Sequence, residues 1–343
     1  MTGPHPAVAA VRLAVRRGLA ALPPGTSGTV LVACSGGPDS VALAAATAFE
    51  APRLGFRAGL VTVDHGLQDG SADRAAAVAE LGHRLGLAPI EVRRVDVGSV
   101  GGPEAAARTA RYAALTAALA AGSASHVLLG HTLDDQAETV LLGLGRGSGA
   151  RSMAGMRPVD PPWLRPLLGV PRATTRAACV AAGLDTWDDP HNDDPRFTRV
   201  RLRREVLPLL EEVLQGGVAE ALARTAELLR ADSDALDAVA STALAAVTQA
   251  GGGSEPRAGG PDAGSELAVS ALSGYDPAVR LRVIRTWLVG RGVCGLTSVH
   301  LRAVDALLMD WHGQGQVALP GGLVACRRHG RLRVGHPASD PSG

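Results

Sequence analysis

The stretch VLVACSGGPDSVALAAATAF, Val30 to Phe49, runs from a buried-strand pattern through SGGPDS into an apolar helix pattern. That is the layout of a phosphate-binding loop. The strand delivers the chain to a glycine pair, and the helix turns its free N–H groups and positive dipole end toward one point. Yet the Gly-x-x-x-x-Gly-Lys spacing of the ordinary nucleotide P-loop is absent. The candidates for holding phosphate are Ser35, Gly36, Gly37, Pro38 and Ser40, with the two serines adding hydroxyl donors. Asp39 repels a bare phosphate, and its presence makes sense if Mg²⁺ sits between it and the phosphates. A tight turn capped by Ser35 would account for a bare SGG; SGGPDS directly after a buried strand favours phosphate.

Outward from this loop, strand and helix patterns alternate at short spacing. TVLVAC, RAGLVTVDHG, PIEVRRVDV and SHVLLGHT read as strands, each followed or preceded by a helical pattern. Such βα units predict an α/β fold, a parallel sheet with helices on both faces, and a ligand site at the C-terminal strand ends. From about Phe197 onward the patterns become helical, and QVALPGGLVACRRHGRLRVG alternates like a small hairpin. The expected organisation is a lead-in helix over 1–28, a nucleotide-binding domain over 29–214, and a smaller, mainly helical domain over 215–335. A flexible Gly-rich loop near 250–265 and a disordered tail over 336–343 complete it.

Composition sets limits. The formal net charge of the 343-residue chain is +1, so any nucleic-acid surface must come from local clustering. The chain has no lysine, one asparagine (Asn192) and two isoleucines, a skew toward Ala, Gly and Arg that carries no functional message alone. The four cysteines, Cys34, Cys179, Cys294 and Cys326, are too scattered for a thiol zinc site, an iron–sulfur cluster or a redox pair. They suggest a reducing compartment. The first 25 residues are too interrupted by arginine for a secretory signal or a membrane span, so a cytoplasmic protein is expected.

A second segment, GHTLDDQAETVLLGLGRGSG, puts His131, Asp135 and Glu138 at helical spacing on one face, at the end of the fourth strand. Two carboxylates facing a phosphate cleft can hold Mg²⁺ or a cationic substrate; Asp134 suits a solvated helix N-terminus. In EAAARTARYAAL, Glu104, Arg108 and Arg111 share a face, where the arginines either contact phosphates or pair with Glu104. In DDPHNDDPRFTRVRLRREVLPLL, Arg196, Arg199, Arg201, Arg203 and Arg204 precede the next acid, Glu205. This run is either a solvated helix face or a contact to a phosphate backbone.

SGGPDS resembles the PP-loop of the N-type ATP pyrophosphatases, which split ATP between the α and β phosphates and adenylate a substrate oxygen. With VDHGLQDGSADRAA, RPLLGVPR and the segments above, in this order and spacing, the chain resembles the tRNA(Ile)-lysidine synthetase family from about Val30 to Leu210. The resemblance implies that ATP adenylates C2 of the wobble cytidine in an isoleucine tRNA with a CAU anticodon. Free L-lysine then attacks through its ε-amine and displaces AMP, forming lysidine. It implies phosphate contacts from Ser35 to Ser40, adenine near Val63 and His65, and Mg²⁺ on Asp39. It further implies a catalytic set of Asp39, Arg111, His131, Asp135, Glu138, Asn192 and Arg203, with Asp135 and Glu138 on the lysine ammonium. Arg111 and His131 would stabilise charge on the adenylate, while Asn192 and Arg203 would bind the lysine carboxylate or the nucleotide. The second domain would read tRNA shape, and a homodimer is among the assemblies found in the family. The chain departs from the family pattern at Val200, where an asparagine is usual, and at Asp64, where His or Asn is frequent. Alternatives are a thiolating PP-loop enzyme, disfavoured by the cysteine spacing, a small-molecule adenylating ligase, and a non-catalytic tRNA-binding protein, disfavoured by Asp39, Asp135 and Glu138.

Overall fold

The computed structural model describes residues 3–66, 70–98, 102–122, 124–147, 149–188, 194–250 and 266–337. The chain divides into two compact units, Met1–Glu227 and Leu228–Gly343. Asn192, most of the Gly-rich segment and most of the tail lie outside the described residues.

The first unit opens with α1 (Pro6–Ala20), β1 (Gly28–Ala33), α2 (Pro38–Glu50), β2 (Phe56–Asp64), α3 (Ser71–Arg84) and β3 (Ile90–Arg94). It continues with α4 (Pro103–Gly122), β4 (Ala124–Leu129), α5 (Leu133–Gly145), α6 (Ala150–Met153), β5 (Val159–Asp160), β6 (Trp163–Leu164) and α7 (Arg172–Ala181). The sheet order is β3-β2-β1-β4-β6-β5. All neighbours are parallel except the short edge pair β5–β6, and Val32 of β1 stands beside Leu60 of β2 and Leu128 of β4.

Alternate residues of β1 explain the two layers. Val30 and Val32 pack with Val11, Val15 and Leu19 of α1, Leu43 of α2 and Ala178 of α7. Leu31 points the other way, into a core with Val61, Val127, and Leu115 and Ala118 of α4. A strand buried on both faces has no polar side, which is why this stretch reads as an unbroken apolar run. The chain leaves β1 toward β2 and β3, then returns to β4 on the other side of β1. The order reverses between β1 and β4, and a crevice opens there at the strands' C-terminal ends.

Beyond α7 come α8 (Thr198–Arg201), a π-helical turn over Leu202–Val206 and α9 (Leu207–Val213), joined end to end. Pro208 lacks the N–H that a regular helix would direct to the carbonyl four residues earlier, which favours a wider turn just ahead of it. Then α10 (Val218–Ala250) begins. Val218 packs with Leu207 and with Ala137 of α5.

The second unit adds β7 (Leu267–Ala268), α11 (Val269–Leu272), α12 (Pro277–Val289), α13 (Ser298–Met309), β8 (Val317–Leu319), β9 (Leu323–Arg328) and β10 (Arg331–Gly335). The terminal hairpin expected from sequence is there as β9–β10, but it sits inside a four-stranded antiparallel sheet ordered β7-β10-β9-β8. Leu272, Ile284, Leu288, Leu307 and Leu332 form its core. Among the described residues, no helix is long and apolar enough to cross a membrane.

Candidate active site

The loop from Ser35 to Ser40 links β1 to α2. Gly36 takes a positive φ of 88°, and a Cβ there would come within 3.1 Å of Val78, so a side chain would be strained twice over. Gly37 is the N-cap of α2 and Pro38 its first residue. Ser40 is buried, and its hydroxyl accepts from the Ser35 N–H at 3.1 Å and donates to the Gly37 carbonyl at 2.9 Å. Ser40 therefore shapes the loop, while Ser35 is exposed. The Trp187 N–H donates to the Gly36 carbonyl at 2.9 Å, and the Arg74 guanidinium lies 4.1 Å over the Trp187 ring.

One cavity of about 740 Å³ occupies the crevice. Ser35, Gly37, Pro38, Asp39 and Ser40 line it from the loop, and Val63 and His65 from the end of β2. Arg111 of α4, His131, Asp135, Arg172, Trp187 and Arg203 complete the relevant wall. Eleven sequence-derived candidates thus converge there. Gly36 and Glu138 do not line it, and Asn192 lies outside the described residues.

His131, Asp135 and Glu138 do not form a single helical stripe. The helix starts at Leu133 with Thr132 as its N-cap, so His131 precedes it on the β4–α5 turn. Thr132 and Asp135 form a capping box: Asp135 Oδ2 accepts from the Thr132 N–H at 2.7 Å and its hydroxyl at 2.9 Å. Asp134 is more than a solvated acid, since its Oδ2 accepts from the Arg172 N–H at 2.8 Å.

Arg172 is the residue that sequence reasoning missed. Its Nη2 donates to Asp135 Oδ1 at 2.7 Å, its Nε to Asp39 Oδ2 at 3.4 Å, and its Nη1 lies 3.6 Å from Glu138 Oε1. Asp39 Oδ1 accepts from the Thr175 hydroxyl. A signal was present: RPLLGVPR ends in this arginine, at the first position of α7, where the helix dipole disfavours a cation.

Glu138 has no exposed side-chain surface, and Arg203 Nε, on the π turn, donates to its Oε1 at 2.8 Å. Arg199 Nη1 lies 3.8 Å from Oε2, which has no hydrogen-bond partner among the described residues. The five-arginine run therefore splits. Arg196 pairs outward with Asp194 and Arg201 with Glu205, while Arg199 and Arg203 turn toward Glu138 and Arg204 lines the cavity. Arg108 packs on Tyr112, and the side chain of Glu104 lies outside the described residues. The two departures are structural: Val200 is buried, and Asp64 Oδ1 accepts from the Gly66 N–H at 2.9 Å.

Charge in the crevice is strongly tuned. Burial pushes the Asp39 carboxyl up, partly offset by Thr175 and Arg172. Burial likewise raises Glu138, against the pull of Arg203. Asp135 is also penalised by burial, yet Arg172, His131 and the Thr132 cap together hold it below its ordinary value. Burial drives His131 down to about 3, so its imidazole is neutral at pH 7. His65 is lowered by burial and by Arg111, and burial lowers Arg111 itself. His65 Nδ1, His131 Nδ1 and Arg111 Nε are buried and find no hydrogen-bond partner among the described residues. Burial raises the Cys34 thiol, and raises Cys179 to about 11, so neither is a thiolate near neutral pH. Among the described residues, no three His, Cys, Asp or Glu side chains form a metal cluster.

A family model for the PP-loop domain matches residues 13–210, and one for the TilS substrate binding domain matches residues 267–333. A curated protein of Salinispora arenicola, tRNA(Ile)-lysidine synthase, is 54% identical over 341 residues, covering 97% of this chain and 97% of that protein. The tRNA(Ile)-lysidine synthase of Thermobifida fusca is 53% identical over 336 residues, covering 97% of this chain and 99% of that protein. Among solved structures, the U34-tRNA thiolase NcsA of Methanococcus maripaludis, with its 4Fe-4S cluster, matches with a TM-score of 0.53. Its identity is 18%, over 65% of this chain and 80% of that one, a likeness that speaks to the fold alone.

Proposed function

The chain belongs to the tRNA(Ile)-lysidine synthase family, and on that premise we propose that its crevice joins free lysine to the wobble cytidine of a CAU-anticodon tRNA(Ile) through an adenylated intermediate. The enzyme is an ATP-using ligase that forms lysidine on tRNA(Ile). The observation that carries the finer reading is the meeting of the SGGPDS loop and Asp135 in one cavity, at the reversal of strand order between β1 and β4.

The loop N–H groups and the start of α2 receive the pyrophosphate as it leaves. Asp39 suits Mg²⁺ as a single carboxylate: its oxygens keep lone pairs beyond those used by Thr175 and Arg172, and such an ion takes its other ligands from phosphate and water. The ion would offset phosphate charge. Val63 and His65 flank the adenine. Arg111 and the neutral His131, each with an unpartnered nitrogen, stabilise the adenylated base. Asp135, held ionised, takes the lysine ammonium, whose proton must leave before the amine attacks C2 and displaces AMP. Glu138 acts from behind, fixing Arg203 at the cavity wall. Asn192 stays in the set as a contact to the lysine carboxylate or the nucleotide, from the family pattern alone.

Purified protein incubated with ATP, Mg²⁺, labelled lysine and unmodified CAU tRNA(Ile) should place the label in the tRNA. ATP cleavage with all label left free would preserve the adenylation chemistry and overturn the substrate. Asp39→Ala should abolish pyrophosphate release.

A further inference from the structure

Asp135 has one oxygen to offer a ligand. Its Oδ2 is held by the N–H and hydroxyl of Thr132. Oδ1 already carries Arg172 Nη2 at 2.7 Å, and the next cation, Arg203, is 3.9 Å away. A lysine ammonium seeking this carboxylate therefore meets a guanidinium in its place.

Arg172 is held unequally. Its contact with Asp135 is short, while those with Asp39 at 3.4 Å and Glu138 at 3.6 Å are long. Its place at the first position of α7 adds dipole repulsion, and among the described residues its side-chain partners are the three carboxylates. Arg172 and Asp39 both line the cavity, so phosphate bound in the loop arrives beside this guanidinium. A planar guanidinium matches phosphate oxygens in a two-pronged contact, whereas Asp135, with Oδ2 held by Thr132, offers Arg172 a single hydrogen bond.

We propose that Arg172 competes with the lysine substrate. It occupies the Asp135 oxygen that the ammonium needs until ATP phosphates draw it away, so that lysine binds after ATP. This rests on the assignment of lysine to Asp135 under Proposed function. It makes Arg172 a positioning residue that couples two subsites, and the coupling is reciprocal: lysine must strengthen nucleotide binding by the same factor.

The test is equilibrium dialysis of labelled L-lysine against the full-length protein, with and without Mg²⁺ and a non-hydrolysable ATP analogue. For the wild type, the analogue should tighten lysine binding at least about fivefold, the low end of coupling between linked sites. Arg172→Gln should bind lysine more tightly than wild type without nucleotide and lose the analogue's effect. A purely structural role predicts the opposite sign, because carboxylates released from Arg172 would lose their arrangement and lysine would bind more weakly. Unchanged wild-type affinity with the analogue, or Arg172→Gln binding no tighter than wild type, overturns the inference. Should Arg172→Gln fail to fold, Arg172→Lys serves: its compact ammonium cannot span three carboxylates, so coupling should shrink, and full coupling would overturn the inference. Lysine that never binds the wild type and never enters tRNA overturns the functional reading as well; lysine that binds and is incorporated without coupling overturns only this inference.

Discussion

His131 sits in the crevice with a neutral ring and, among the described residues, no partner for its Nδ1. Its folded pKa of about 3 lies below the ordinary value of 6.5. Between those values the unfolded chain holds a proton that the native protein does not, so His131 opposes folding increasingly as pH falls from 6.5 toward 3, and not above it. The imidazole NMR signal of His131 should therefore not titrate from pH 8 to 5, and the acid-induced drop in melting temperature should be shallower in His131→Asn. A second prediction concerns Glu138. Removing Arg203 would leave a fully buried carboxylate whose remaining cations, among the described residues, lie at 3.6 and 3.8 Å. Arg203→Ala should lower stability by about 2 kcal/mol in urea unfolding, less than the loss of a wholly buried partner because Arg203 is 30% exposed. Glu138→Gln should cost less, since an amide needs no counter-ion. At this scale the sequence revealed residue types but not partners. Arg172 and Asp39 are far apart in the chain, and a lone arginine after proline carries no periodic signal.

Close approach between elements is where the site takes its shape. Gly130 ends β4 against the phosphate loop: a Cβ there would stand 3.2 Å from backbone atoms of Asp39 and Ser40. Gly130→Ala should push the loop and raise KM for ATP, with little change in melting temperature; steady-state kinetics and calorimetry separate the two. Gly143 of α5 is tighter, with a Cβ falling 2.3 Å from the Ser152 carbonyl oxygen. Gly143→Ala should cost about 1–3 kcal/mol through displacement of α6, read from denaturant midpoints. The parallel strands were legible because each is an apolar run set off by helical periodicity. Less legible was the start of α5, because the capping threonine lies between His131 and the periodic residues, and the turn rather than the helix aims that histidine. The sheet of the second unit was legible only in its hairpin. Strand β7 is two residues long and pairs with β10, far along the chain, so no local pattern announces it.

The two units have separate cores, and a lesion in one should leave the other's chemistry intact. Arg280 is buried in the second unit, donating to both oxygens of Asp305 at 2.6 and 3.0 Å and to the Tyr275 carbonyl at 2.8 Å. Arg280→Ala leaves these acceptors unmatched and should loosen the second unit, lowering lysidine formation. ATP binding in the first unit should persist, as nucleotide titration against the variant would measure. The tryptophans are divided between the units: Trp163 and Trp187 in the first, Trp287 and Trp311 in the second. Trp163 packs edge-on to Tyr112, whereas Trp187 lines the cavity, hydrogen-bonded through its backbone to the phosphate loop and stacked under Arg74. One indole of four thus lines the proposed nucleotide site, giving the enzyme an intrinsic optical probe. Its emission should shift on ATP binding while the other three supply a constant background, so occupancy of the site can be followed in real time without an added dye.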